Sequence, residues 1–289
     1  MKKGPSYAIQ IILEELPLDA SPRRLVDVIE EVILTNGWES SRTEARIKAE
    51  AWSKKALTYL QTEINKLEEI GKPSKVTFNS SSGYIVQGAC FVEPRDSPDL
   101  QDQKMRRLRS SEYYSALQEL TPEQLEDLCG KLVEFLGVRD PQVSRRSADE
   151  GIDFYGKLSL DSIFFPHDLG PTIQKQLSIW LVGQAKRYTR KIGTHLVREL
   201  AGSILLGRSQ AFGSVHSPLS DMKIRVGDPV FAIIITTGRF TSNTWRLLDR
   251  SGIIGMDGEM VAAFLADREA SLSSGSDFDN DVFLDWLSD

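Results

Sequence analysis

The chain has 289 residues, of which 40% are hydrophobic and 26% are charged, a composition typical of a soluble protein long enough for two domains. Its net charge of −6 arises from residues 267–289, which hold one basic and seven acidic residues, so charge neither indicates nor excludes nucleic-acid binding by the rest. No apolar run approaches the roughly 18 residues of a membrane span. Two cysteines exclude a disulfide framework, and we therefore expect a cytoplasmic protein.

The first 92 residues are predicted to form a winged-helix domain. Apolar residues at helical spacing predict three helices, and two short runs around a Ser-Gly turn predict a β-hairpin. Ser21 and Pro22 are expected to begin the second helix, as its N-cap and first residue. The other elements are expected at about 6–16, 43–70, 75–78 and 84–87. Such a domain can insert a helix into the major groove of DNA, or it can dock another protein.

The third predicted helix carries candidate DNA-binding residues. Arg46, Lys54 and Lys55 lie on it and could contact phosphates. Glu44 and Glu50 lie among the basic residues of this helix, which also include Arg42 and Lys48, so a solvated helix face is the alternative.

A linker and a second domain are predicted next. Residues 93–115 are polar, contain prolines and lack apolar spacing, which favours a linker. The second domain is predicted over 116–268 and opens with a helix that has Thr121 as its N-cap. Strands and helices then alternate, with a helix expected at about 242–251. The run 230–237 is apolar throughout, as in a strand buried on both faces. This order predicts an α/β sheet with covered faces.

Residues 269–289 are predicted to form an acidic, flexible tail. Residues 271–276 are of low complexity, and the last part combines aspartates with Phe and Trp. The alternative is a short amphipathic helix that docks on a partner protein, or on the protein's own basic surface as an autoinhibitor.

Three polar residues at the ends of apolar runs suggest a site for a divalent cation and a phosphate. Asp153 lies in the run 152–156, and Gln184 and Lys186 follow the run 179–183. Alternate residues of a strand share a face, so Gln184 and Lys186 would meet Asp153 if the two strands are neighbours. Taken alone, Asp153 could be an ordinary turn aspartate and Lys186 an ordinary solvated lysine.

Several short motifs occur in an order that resembles the Mrr-like type IV restriction endonucleases of the PD-(D/E)xK superfamily. Each motif alone is weak, whereas their order is specific. The resemblance covers roughly 120–266 and departs from the family at Glu150, where glycine is usual. The motifs are Leu125-Glu126, Asp149-Glu150-Gly151-Ile152-Asp153, Gln184-Ala185-Lys186-Arg187-Tyr188, Arg198-Glu199-Leu200-Ala201-Gly202, 235–241 and 254–258.

The resemblance implies a restriction-endonuclease-like mixed sheet flanked by helices and a metal-dependent DNA endonuclease that acts in defence against foreign or modified DNA. Asp153, Gln184 and Lys186 would be catalytic, and Glu126 would join Asp153 and Gln184 in binding Mg²⁺, with Mn²⁺ as a substitute. Arg187 and Lys191 would extend the phosphate path.

The expected partner is double-stranded DNA, cut by a homodimer or higher homo-oligomer, because cutting both strands takes two sites. A partner protein could dock on the tail. Two alternatives stay open: a DNA-binding or scaffold protein with a degenerate site, and a nuclease subunit fed by a separate motor or sensor protein. Asp149 is expected to serve its turn, and zinc is not expected because the histidines lack ligand spacing. These are His167, His195 and His216.

Overall fold

A computed structural model of the chain describes residues 3–144, 151–158, 178–209, 222, 224–272 and 277–288. The chain divides into two compact units, residues 1–110 with 266–268, and residues 111–265 with 269–289. Across the described ranges, no helix has both the length and the apolar character needed to cross a membrane.

The first unit contains helices packed beside a small antiparallel sheet. The strands lie in the order β1-β3-β2. The elements are α1 (Pro5–Glu15), β1 (Arg23–Arg24), α2 (Leu25–Thr35), α3 (Arg42–Glu69), β2 (Val76–Asn79), β3 (Ser82–Gly88) and α4 (Pro98–Arg107). Ile9, Ile29 and Leu60 are fully buried, one from each of the first three helices, and form part of one core. This order is compatible with a winged helix, which stays a prediction.

The second helix begins later than the sequence indicated. Arg23 and Arg24 pair with Val86 and Ile85 of β3, so the segment expected to open α2 is a short strand instead. The helix starts at Leu25, and no side chain caps it. The N-cap prediction for Ser21 was wrong because a pairing with residues more than 60 positions away along the chain decides the local backbone.

The predicted linker at 93–115 is largely helical. Ser97 caps α4, accepting a hydrogen bond from the backbone N–H of Leu100, and Pro98 occupies its first position. This helix buries no side chain, which is why apolar spacing did not reveal it. A further helix, α5 (Ser110–Glu119), buries Tyr113 and Leu117 and belongs almost entirely to the second unit.

The second unit is built on a five-stranded mixed sheet in the order β10-β8-β6-β5-β4. Strands β6, β8 and β10 are parallel, whereas β4 and β5 are antiparallel to their neighbours. The predicted α/β sheet with flanking helices is thereby confirmed. The elements are α6 (Pro122–Phe135), β4 (Val138–Val143), β5 (Phe154–Leu158), β6 (Trp180–Lys186), β7 (Lys191–Ile192), α7 (His195–Arg208), β8 (Val230–Thr236), β9 (Arg239–Phe240), α8 (Ser242–Ser251), β10 (Ile254–Met256), α9 (Gly258–Asp267) and α10 (Asn280–Ser288).

Two local features fix the centre of this unit. Thr121 and Gln124 form a reciprocal capping box at the start of α6, which then packs against β4, β5 and β6. Strand β8 lies between β6 and β10, and its residues from Ala232 onward are buried, as expected for a strand covered on both faces.

The C-terminal segment does not form the flexible tail expected over 269–289, at least over its described last part. Helix α10 packs on α6 and buries Phe283 and Leu287. The Phe283 ring meets those of Tyr113, Phe278 and Trp286 at centroid distances of 5.8, 5.8 and 5.9 Å. The apolar face of α10 is thus occupied by the protein's own second unit. Residues 273–276, in the low-complexity part, lie outside the described residues.

Phe283→Leu is expected to lower the free energy of unfolding by about 1–2 kcal/mol, because a leucine nearly conserves the volume but loses the aromatic pairs. Val282→Ala on the same helix is the control, since Val282 is 50% exposed. Thermal denaturation of both variants checks this expectation. Equal melting temperatures for the two would contradict the docked position of α10.

Candidate active site

Asp153 is held against the end of β6 by two hydrogen bonds. Its backbone N–H donates to the carbonyl of Gly183 at 3.0 Å, and its Oδ2 accepts the N–H of Ala185 at 2.7 Å. The residue is 2% exposed and directly precedes β5, which pairs antiparallel with β6. The two runs predicted to be neighbouring strands are therefore neighbours.

Lys186 completes a charge pair with Asp153. Its Nζ lies 3.3 Å from Oδ2 of Asp153, while about a third of its side chain stays exposed. One carboxylate oxygen thus accepts both a backbone N–H and an ammonium group. The ammonium can reach a solvent-borne substrate while its position is set by a buried anion.

Gln184 is fully buried one residue before Ala185. Its Nε2 donates to Oε1 of Glu199 at 2.9 Å. Its Oε1 is buried and has no hydrogen-bond partner among the described residues. Glu199 lies on α7. Its sequence position alone indicates no role, because its approach to β6 depends on how α7 packs.

The side-chain oxygens of Gln184 and Asp153 are candidate ligands for a hard cation. A buried amide oxygen without a partner costs free energy unless a ligand or water satisfies it. It lies at the same strand end as the Asp153 carboxylate, and oxygen donors of this kind suit Mg²⁺. Within the described ranges, no group of three or more His, Cys, Asp or Glu side chains could hold a metal ion. Asp153 and Gln184 offer two oxygen donors, a set that fits a cation such as Mg²⁺ that keeps several of its waters.

Glu126 lies on α6, beside the same part of the sheet. The thiol of Cys129 on this helix is fully buried, and burial, followed by the negative charges of Asp153 and Glu126, raises its pKa well above the usual value. Both carboxylates therefore lie near one thiol. The side chain of Glu126 is partly exposed, and its part in metal binding stays a prediction.

Two predicted phosphate contacts follow β6. Arg187 is exposed and donates from Nη2 to the carbonyl of Gln118 at 3.1 Å, so part of its guanidinium holds the end of α5. Lys191 is exposed on β7. Both stay candidates for DNA contact. Asp149, Glu150, His167 and His216 lie outside the described residues.

The three candidate DNA-binding residues on α3 differ in whether carboxylates already engage them. Arg46 donates to Asp27, Glu30 and Glu50, with N···O distances of 2.6, 3.0 and 2.8 Å. These carboxylates raise the pKa of its guanidinium and neutralise its charge locally, Asp27 contributing most. Arg46 is thus engaged in an ion-pair network, which weakens its candidacy for a phosphate contact. Lys54 and Lys55 are exposed and stay candidates.

Gly183 lets β5 approach β6 beside the site. A Cβ at this position would lie 2.0 Å from Cζ of Phe154, which is fully buried and cannot move aside. We expect Gly183→Ala to lower the free energy of unfolding by about 1–3 kcal/mol through overpacking. Gly202→Ala on α7 is the control, because a Cβ there would meet no atom within 4 Å. Urea denaturation of both variants measures the difference, and equal midpoints would contradict the strand packing.

Residues 117–215 match the restriction endonuclease family Mrr_cat. The match includes the segments that carry Asp153, Gln184, Lys186 and Glu199. The predicted family resemblance is thereby confirmed for this part of the chain, and the residues outside it are not covered. A comparison with curated proteins finds no match.

Three solved restriction enzymes are similar to the chain at low identity. MspJI restriction endonuclease, in complex with a 27-mer oligonucleotide, is 16% identical with a TM-score of 0.38, over 68% of this chain and 39% of that one. The DNA modification-dependent restriction endonuclease AspBHI is 16% identical with a TM-score of 0.36, over 73% and 46%. FokI restriction endonuclease bound to DNA is 12% identical with a TM-score of 0.31, over 90% and 44%. The chain spans less than half the length of each.

Proposed function

We propose that this chain, which carries a restriction endonuclease domain at residues 117–215, is a metal-dependent, Mrr-type DNA endonuclease that cuts foreign or modified DNA in the cytoplasm as a restriction defence. The observation that carries the proposal is the ion pair at the end of β6, where the Lys186 ammonium lies 3.3 Å from the buried Asp153 carboxylate. On the same strand, the buried amide oxygen of Gln184 has no hydrogen-bond partner among the described residues.

Each residue has a distinct part in phosphodiester hydrolysis. Asp153 and Gln184 would hold Mg²⁺ or Mn²⁺ through their oxygens, with Glu126 as a further candidate. The bound ion supplies Lewis-acid polarisation of a phosphoryl oxygen and lowers the pKa of a bound water. Lys186 would orient the attacking water with Nζ and stabilise negative charge as it builds on the phosphate.

The DNA path is proposed to run from this centre over nearby surface cations. Arg187 and Lys191 follow β6 directly and are exposed. In the first unit, Lys54 and Lys55 on α3 are the cations best placed to meet a phosphate, with Arg46 less available because of its three carboxylate partners. The first unit acts in this proposal as a winged-helix DNA-binding domain over residues 1–92.

Double-stranded cleavage needs two centres, so the proposal includes a homodimer or a higher homo-oligomer on the duplex. A partner protein on the C-terminal segment is less favoured than the sequence suggested. The buried Phe283 and Leu287 of α10 would first have to leave their own domain.

Cleavage of matched methylated and unmethylated plasmids tests the function. We expect nicking and linearisation in Mg²⁺ or Mn²⁺, none in excess EDTA, and a higher rate on the modified plasmid. If the protein binds both plasmids yet cuts neither with either metal, the proposal is wrong, and a DNA-binding scaffold with a degenerate site or a nuclease subunit fed by a separate motor or sensor protein replaces it. Equal rates on the two plasmids would remove only the preference for modified DNA.

A further inference from the structure

We propose that Glu199 is a positioning residue of the same centre, fixing the side-chain amide of Gln184 so that its oxygen, and not its nitrogen, faces the cation. The inference rests on the proposed function, because the cation it serves is the one that Asp153 and Gln184 would bind.

An amide at a metal-binding position carries an ambiguity that a carboxylate lacks. Its Nε2 and Oε1 exchange places on a rotation of about 180°, and only Oε1 can bind a cation. A buried glutamine with no fixed partner would therefore present the wrong end in part of the population. The PD-(D/E)xK pattern that the chain resembles has an Asp or Glu at this position, whereas this chain has Gln184.

Glu199 removes this ambiguity. An ionised carboxylate accepts hydrogen bonds and cannot donate them, so it selects the Nε2 end of the amide. Nε2 lies 2.9 Å from Oε1 of Glu199, and the opposite atom, Oε1 of Gln184, is the one without a partner among the described residues. The hydrogen bond from Nε2 and the partnerless Oε1 together define one orientation of the amide.

The backbone at Gly151 encloses the pair. Its φ of +77° belongs to the left-handed region that glycine tolerates best. A Cβ at Gly151 would lie 3.0 Å from Oε1 of Glu199 and 3.3 Å from Nε2 of Gln184. A glycine at this position therefore leaves the room that the contact between Glu199 and Gln184 occupies.

Glu199 is exposed, whereas Gln184 is fully buried. Replacement of Glu199 is therefore expected to leave the fold intact and to act on the orientation of Gln184. Loss of such a supporting contact typically weakens metal affinity or activity by about 10- to 100-fold.

The first readout is Mg²⁺ binding to the full-length protein without DNA, measured by titration calorimetry. Glu199→Ala is expected to weaken binding by about 10- to 100-fold, with a melting temperature within experimental error of the parent. Glu134→Ala is the matched control, since Glu134 is an exposed helical glutamate of α6. Unchanged Mg²⁺ affinity in Glu199→Ala would overturn the inference.

A pair of exchanges tests the orientation itself. Gln184→Glu alone places two carboxylates about 2.9 Å apart, and like charges at this range oppose one another. In Gln184→Glu combined with Glu199→Gln, the new amide on α7 donates a hydrogen bond to the new carboxylate on β6. The donor and the acceptor of the parent protein have then exchanged places. We expect the double variant to bind Mg²⁺ more tightly than Gln184→Glu alone. Weaker or equal binding by the double variant would contradict the positioning role.

The two proposals fail in different ways. Plasmid cleavage by the parent protein reports on the nuclease function, whereas Mg²⁺ binding without DNA reports on Glu199. A parent that binds Mg²⁺ but never cuts DNA would overturn the function alone. A parent that cuts DNA, together with a Glu199→Ala variant of parental Mg²⁺ affinity and cleavage rate, would overturn the positioning role alone.

Discussion

Asp153→Asn is expected to lower the rate of plasmid cleavage by about 10³-fold, which corresponds to about 4 kcal/mol of transition-state stabilisation. The asparagine can still accept the N–H of Ala185 through its carbonyl oxygen, so the strand contact at 2.7 Å is retained. It supplies no negative charge to a cation or to Lys186, whose Nζ lies 3.3 Å from the carboxylate. Agarose-gel analysis of supercoiled plasmid over time measures the effect.

Asp228→Asn is the matched control for this variant. Asp228 is 5% exposed, accepts from Nε1 of Trp180 at 3.4 Å, and lies at the opposite end of β6 from the site. Hydrogen bonds from Arg225 hold the pKa of its carboxyl below the usual range, so this variant also removes an ionised, buried carboxylate. We expect it to lose some stability and to keep its cleavage rate per folded molecule. An equal loss of cleavage in both variants would mean that Asp153 acts through the fold.

Lys186→Met is expected to lower the single-turnover cleavage rate by about 10²- to 10³-fold. The methionine keeps most of the length and apolar stem of lysine but removes the ammonium beside the phosphate position. The rate should fall while Mg²⁺ affinity without DNA stays close to that of the parent, because Asp153 and Gln184 remain. Quenched-flow cleavage of a labelled duplex, together with calorimetry, separates these two effects.

Lys157→Met is the control for Lys186→Met. Lys157 is exposed on β5, with its Nζ 4.9 Å from the ring centroid of Trp180, far along the strands from the site. Its replacement should leave the cleavage rate within about twofold of the parent, since a single distant surface charge is largely screened at physiological salt. A parental rate in Lys186→Met would remove this residue from the chemistry.

The elements with strong local patterns were predictable from the sequence. The apolar run 230–237 became β8 (Val230–Thr236), and the helix expected at about 242–251 became α8 (Ser242–Ser251). In the second case, Thr241 caps the helix and Gly252 ends it in the left-handed conformation, both of which are local signals. Gln184 and Lys186 lie two residues apart on β6, the spacing at which period-two alternation places side chains on one face.

Elements that depend on distant partners were not predictable. Strand β1 exists because Arg23 and Arg24 pair with β3, and nothing in residues 21–24 encodes that pairing. Helix α10 is short and acidic, and it owes its place to burial of Phe283 against the rings of Tyr113 and Phe278, which lie outside the helix. Isolated helices of this length are marginal in water, so the sequence could not decide between disorder and docking.

The candidate site also contains residues that local patterns indicate and residues that only distant packing brings in. Asp153, Gln184 and Lys186 could be proposed from the sequence because strand periodicity and motif order single them out. Glu199 lies 15 positions after Gln184 and meets it only because α7 packs beside β6. For Arg46, helix position suggested a DNA contact, whereas the carboxylates of Asp27 and Glu30 on α2 engage its guanidinium.

The central claim is that Asp153 and its neighbours on β6 form a metal-dependent DNA-hydrolysing centre. The most direct measurement is single-turnover cleavage of a labelled duplex over a Mg²⁺ titration, for the parent and Asp153→Asn, with DNA binding of the same samples measured in Ca²⁺. The account predicts that the parent cuts as Mg²⁺ rises, and that Asp153→Asn binds DNA equally well but cuts about 10³-fold more slowly at every Mg²⁺ concentration. Cleavage by Asp153→Asn at the parental rate would contradict the claim.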